Sequence, residues 1–191
     1  MFYRELTFLT MTRLRGQMLN RSFHRLSYRE REQLAEDLKM VVEQLRRIPN
    51  FTPYRFASTI GGPLVDHRLP DGRCGPFNQE SDFNNHLVHK YVGSTTREAI
   101  APVHSRQHRS FFTHADLHPT HILIDGGRLS GIVDGECAGY FPAYWEFTKA
   151  IFGVENDEPK EKTMRAAFGG DDFEDELKAE KLLWRETLFG L

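Results

Sequence analysis

The stretch FFTHADLHPTHILIDGGRLSGIVDGE, residues 111–136, decides the fold. Two short apolar runs, Ile122 to Ile124 and Leu129 to Val133, flank the tripeptide Asp125-Gly126-Gly127. Apolar runs of strand length on either side of a glycine-rich turn predict a β-hairpin. Asp116 lies in a loop just before this hairpin, and Asp134 lies just past its second strand. A hairpin returns on itself, so the two carboxylates can meet at its open end. Paired acids on such a frame can divide two tasks. One orients or deprotonates a hydroxyl, and the other holds Mg²⁺ against phosphate oxygens. Taken singly, each aspartate reads as an ordinary turn residue; their joint placement favours chemistry.

Upstream, Phe8 to Leu14 reads as a short strand ending near Gly16. Ser27 and Glu30 form an S-x-x-E capping box. It opens a helix on which Leu34, Leu38, Val41, Val42, Leu45 and Ile48 share a face, and which Pro49 stops. Residues 50–77 gather glycine and proline into a long loop, and helices are expected over 80–92 and 96–109, with Pro102 in the first turns of the latter or breaking it. Phe111 to Thr113 reads as extended. Beyond the hairpin, helices are expected over 143–153, 158–168 and 172–188. The last has Asp171, Asp172, Glu174 and Asp175 at its start, where the helix dipole favours them. The expectation is an α+β, mostly helical chain with one small central hairpin, forming a single domain over 1–191.

Bulk properties narrow the function classes. The chain has 191 residues, 39% hydrophobic and 27% charged, which suits one globular domain with a sizeable core. A formal net charge of -2 offers no field for nucleic acid or an anionic membrane. No run approaches the roughly 20 apolar residues of a membrane span, and Met1 to Thr12 does not read as a signal peptide. Two cysteines, Cys74 and Cys137, make no disulfide framework, so a cytoplasmic location is expected.

The segment from His114 through Asp116 to His121 resembles the H-G-D-L-H-x-x-N catalytic loop of the aminoglycoside phosphotransferase and choline-kinase-like family. Ile132 to Glu136 resembles its I-I-D-W-E metal-binding segment. The flanks are similar too: Gly75-Pro76-Phe77 with Phe83-Asn84, and Ala138-Gly139-Tyr140 with Pro142 to Glu146, as in fungal-type members. Leu9 to Gly16 resembles the last strand of the small lobe and the hinge. The resemblance thus covers nearly the whole chain as the C-terminal lobe of the kinase-like fold, with 1–16 the remnant of the small lobe's last strand and hinge. It implies ATP and Mg²⁺ as cofactors and phosphorylation of a small-molecule hydroxyl. Asp116 would be the catalytic aspartate and His114 its brace. Asp134 would be the main metal ligand. Met11, Thr12 and Arg13 would border adenine through the backbone, and His121 would stand at the metal- and nucleotide-facing position. Tyr144 and Trp145 read as core, and Glu136 as an ion-pair partner or a border of the acceptor site.

Three departures temper the expected activity. His121 stands where the family has an Asn that gives an oxygen to metal, and Mg²⁺ prefers oxygen ligands. Gly135 replaces a bulky Trp. No glycine-rich phosphate loop or strand lysine precedes residue 8 in this sequence. Weak transfer by this chain alone is therefore expected. The alternative is a pseudokinase-type scaffold, with apolar surface near residues 1–15 inviting a protein partner or self-association. A lesser alternative starts from His114, Asp116, His118 and His121, which spell H-x-D-x-H-x-x-H and could mark a transition-metal hydrolase.

Overall fold

The computed structural model describes residues 10–69, 71–88, 92–168 and 173–186. In chain order the elements begin with β1 (Gln17–Met18), α1 (Leu19–Ser22), a 3-10 turn (Phe23–Arg25) and α2 (Tyr28–Leu45). The long loop holds three two-residue strands, β2 (Ala57–Ser58), β3 (Leu64–Val65) and β4 (Arg73–Cys74). Then come α3 (Glu80–Leu87), α4 (Ser94–His104) and β5 (Ser110–Thr113). The hairpin β6 (Ile122–Asp125) and β7 (Arg128–Ile132) precedes β8 (Gly139–Pro142), α5 (Trp145–Phe152), α6 (Glu158–Ala167) and α7 (Glu174–Glu186). The architecture is α+β, with helices packed around small antiparallel sheets.

The capping box forms as expected. Ser27 Oγ accepts the Glu30 N–H at 3.3 Å, and Glu30 Oε2 accepts the Ser27 N–H at 2.7 Å. These bonds satisfy amides that an uncapped helix start would leave bare. Leu34, Leu38 and Val42 of α2 enter a core with Leu117, Ile122, Phe147, Ile151 and Met164. Val41 and Leu45 are only half-buried, and Ile48 lies past the helix end, exposed. A second core joins Phe56, Leu64 and Leu69 of the long loop to Phe83, Phe141 and Trp145. α5 touches both cores, and all but its last residue are buried.

The strand expected over 8–14 is corrected. Residues 8 and 9 lie outside the described residues, and 10–15 make no strand. Pairing begins only at Gln17, opposite Ile124 of β6. The cause is Gly16, whose φ of 102° turns the chain; a Cβ there would sit 2.3 Å from the Ile124 carbonyl oxygen. The helix expected over 96–109 ends at His104, with Pro102 in its last turn, and the helix expected over 80–92 is described to Leu87. Asp171 and Asp172 lie outside the described residues. The extended segment 110–113 pairs with β8 and not with the hairpin. No helix among the described residues is long and apolar enough to cross a membrane.

Candidate functional site

The loop from His114 to His121 is fixed by side chains that point inward. Buried Glu146, at the start of α5, accepts the N–H of His114 at 2.6 Å and of Ala115 at 3.0 Å. Burial pushes the Glu146 carboxyl up to about 7, against the pull of those two amides. Ala115 has a φ of 62°, a left-handed conformation that a residue with a side chain adopts only when its surroundings enforce it. His114 Nδ1 accepts the Asp116 N–H at 3.2 Å, and Nε2 lies 3.1 Å from the Val133 carbonyl oxygen, so Nε2 carries the hydrogen. Burial lowers the His114 pKa and keeps the ring neutral. The Val133 N–H donates to the His121 carbonyl at 2.9 Å. The loop is thereby tied to the end of β7, next to Asp134.

His121 lies between the two aspartates. Its Nδ1 is 3.0 Å from the Asp116 carbonyl oxygen and 3.1 Å from Asp116 Oδ2; both are acceptors, so Nδ1 carries a hydrogen. Its Nε2 is 3.4 Å from Asp134 Oδ2. Neither carboxylate is sealed in the core: the Asp116 side chain is 19% exposed and that of Asp134 52%. The other Asp116 oxygen lies 3.9 Å from the ammonium of Lys149. Lys149 is buried, and it donates to Asp66 Oδ1 at 2.7 Å. Asp66 is fully buried, and also accepts from Trp145 Nε1 and the Arg68 N–H, both at 2.8 Å.

A cleft of about 430 Å³ opens between α1, the capping box and the hairpin turn, and a larger one of about 710 Å³ runs beside the hairpin. Met11, Thr12, Arg13, His114 and Asp134 line the larger cleft. Its apolar walls come from Leu14, Val41, Leu45, Leu123 and Ile132, which explains why Val41 and Leu45 are not in the core. Asp116 and His121 are not among its lining residues; they reach it through the His121 contact to Asp134. Gly135 lines it too, where a larger residue would fill space.

The donor set does not suit Mg²⁺ as a chelate between Asp134 and residue 121. Imidazole is a poor Mg²⁺ ligand, and the ring fills the space in which one ion could touch both carboxylates. The apolar walls and the backbone of 11–13 do fit a flat heteroaromatic ring. The H-x-D-x-H-x-x-H reading is corrected. Among the described residues these four do not gather as a metal-ligand group: both ring nitrogens of His114 are committed, His121 Nδ1 is held by Asp116 and His118 Nδ1 by Thr120. Glu136 pairs with His67 at 3.1 Å. Tyr144 and Trp145 are buried core.

Sequence reading passed over Lys149 and Asp66. The signal for Lys149 was a lone lysine in the apolar run WEFTKAIF, three residues after Glu146. Such a residue must be paired when the helix is buried. Asp66 carried no signal beyond its place in a loop.

Residues 4–180 match the sequence model of the family described as "Phosphotransferase enzyme family". No curated protein matches the chain. Among solved structures, aminoglycoside phosphotransferase APH(4)-Ia is similar with a TM-score of 0.60 at 17% identity, over 90% of this chain and 59% of that one. A thermostable mutant of that enzyme, in ternary complex with ADP and hygromycin B, gives 0.61 at 16% identity over 90% and 59%. Macrolide 2'-phosphotransferase MphH from Brachybacterium faecium gives 0.53 at 16% identity over 90% and 58%. The chain therefore spans somewhat under three-fifths of the length of these structures, and at such identities the likeness is one of fold.

Proposed function

The chain belongs to the phosphotransferase enzyme family, and from that membership we propose that it is a nucleotide-binding lobe serving ATP-dependent phosphorylation of a hydroxyl on a small molecule. One observation carries the reading: Asp116, His121 and Asp134 stand in contact, in that order, at the edge of an apolar-walled cleft. The ADP in the related ternary complex supports a nucleotide in this cleft.

Asp116 is the group that receives the acceptor hydroxyl and draws its proton as transfer proceeds. His114 and Glu146 position it through the loop backbone. Lys149 and His121 hold its two oxygens, one each. The backbone of Met11, Thr12 and Arg13 borders the base, and the Arg13 guanidinium brings positive charge to the cleft. Met11, Leu14 and Met18 are exposed, which supports a further protein surface seated over them.

His121 favours a second reading, a lobe that binds nucleotide and turns it over slowly or not at all. Phosphoryl transfer depends on neutralising phosphate charge, and an imidazole between two carboxylates is a weak cradle for the metal that does this. Thermal shift with ATP and ADP, with and without Mg²⁺, tests nucleotide binding; turnover of ATP with a panel of amino alcohols and aminoglycosides separates the two readings. Saturating nucleotide at about 100 times its Kd should stabilise the fold by about 2.7 kcal/mol. No shift at millimolar nucleotide would rule out both readings.

A further inference from the structure

A second cluster lies two residues past Asp134 and does not belong to the nucleotide cleft. His67, Glu136 and Cys137 each present one donor atom, and the three atoms all lie within 4.8 Å of one another. His67 Nε2 is 3.1 Å from Glu136 Oε1. We propose that these residues form a binding site for a zinc-class divalent cation, with one coordination position open to solvent.

The chemistry of the donors selects the ion. One imidazole nitrogen, one carboxylate oxygen and one thiolate sulfur form a mixed set of the kind zinc takes, whereas Mg²⁺ and Ca²⁺ call for oxygen alone. Bonds of about 2.0–2.3 Å to a tetrahedral ion put ligand atoms roughly 3.5 Å apart. The His67–Glu136 pair, at 3.1 Å, is already within that spacing, and the pairs to the Cys137 sulfur, no farther apart than 4.8 Å, close by at most about 1.3 Å. The parts that must move are free to do so: the side chains of His67 and Glu136 are 62% and 60% exposed. The parts that must stay still are anchored. Cys137 is buried, and Asp66, next to His67, is tied to Trp145, Lys149 and the Arg68 amide. Three ligands leave the fourth position to water, because two of the three side chains face solvent. The ligands come from two segments 69 residues apart, so the ion would clip the long loop to the segment that carries Asp134. The thiolate is the ligand, so binding releases the Cys137 proton to solvent.

The test uses the full chain, stripped with a chelator and titrated with Zn²⁺ and with Co²⁺ alone. One ion per chain is expected, and the Co²⁺ form should show sulfur-to-cobalt charge-transfer absorption. Cys137→Ser should abolish that band. His67→Ala, at an exposed position that leaves folding intact, should weaken affinity by more than about tenfold. Asp134→Asn and Cys74→Ala should leave the titration unchanged, which separates this site from the hairpin carboxylates. Absence of the band, or affinity that survives His67→Ala, overturns the site. So does affinity that falls with Asp134→Asn. None of these outcomes depends on nucleotide binding.

Discussion

Lys149 Nζ donates to Asp66 Oδ1 at 2.7 Å, joining two buried residues 83 positions apart in the chain. The pair brings the long loop onto α5, and the same ammonium reaches to 3.9 Å from Asp116. A buried charge with its partner removed is costly, because the survivor keeps its desolvation penalty and loses the attraction that offset it. Lys149→Met should therefore destabilise the chain by about 3–5 kcal/mol. The double change Lys149→Met with Asp66→Leu should recover part of that loss. Urea unfolding of both variants checks this; a single variant as stable as the parent would show that the pair contributes nothing.

His121→Asn should strengthen Mg²⁺ binding in the presence of nucleotide. It removes the ring between the carboxylates and supplies an amide oxygen in its place. An improvement of roughly tenfold in the Mg²⁺ midpoint of the nucleotide thermal shift is expected, equal to about 1.4 kcal/mol. An unchanged midpoint would mean that residue 121 does not control the metal.

Glu146 and His108 pull stability down as pH rises from 5 to 8, against His104, His114 and His118, whose pKa values burial lowers and which favour the fold as they lose their protons. Burial holds the Glu146 carboxyl at about 7, above its unfolded value of 4.5. Its contribution is full below pH 4.5 and is lost as pH rises through about 7. Burial works against charge on His108, but Glu80, bonded to Nδ1 at 2.7 Å, and Glu176, 3.3 Å from Nε2, outweigh it and raise its pKa. That contribution is full below pH 6.5 and disappears as pH climbs through the folded value. Glu146→Gln should remove roughly 3 kcal/mol of the pH-dependent change. Denaturation midpoints of parent and variant across this range check the sign; a variant whose stability changes with pH as the parent's does would contradict it.

Gly16→Ala should cost about 2–4 kcal/mol, from left-handed strain and from the clash with the Ile124 carbonyl. Because Gly16 starts the β1–β6 pairing, amides of Gln17 and Met18 should lose hydrogen-exchange protection before the α2 amides do. Equal loss across both elements would place the effect elsewhere.

The sequence alone determined the features whose cause is local. The hairpin around Asp125-Gly126-Gly127, the capped helix after Ser27 and the motif run from His114 to Glu136 were all legible, because turn chemistry, capping and apolar period act over a few residues. Tertiary structure decided what depends on distant partners. Strand β2 of the long loop and the Gly- and Pro-bearing β8 carry no strand signal of their own; each forms because a neighbour from far along the chain pairs with it. Val41 and Leu45 looked like core by period and became walls of the cleft they share with Leu14, Leu123 and Ile132, a placement that depends on segments far from α2 in the chain. The His121 ring between the aspartates, the Lys149–Asp66 pair and the His67–Glu136–Cys137 cluster likewise follow from packing. A sequence records which donors and acceptors exist, but burial sets how strongly they need one another, and burial is a property of the whole fold.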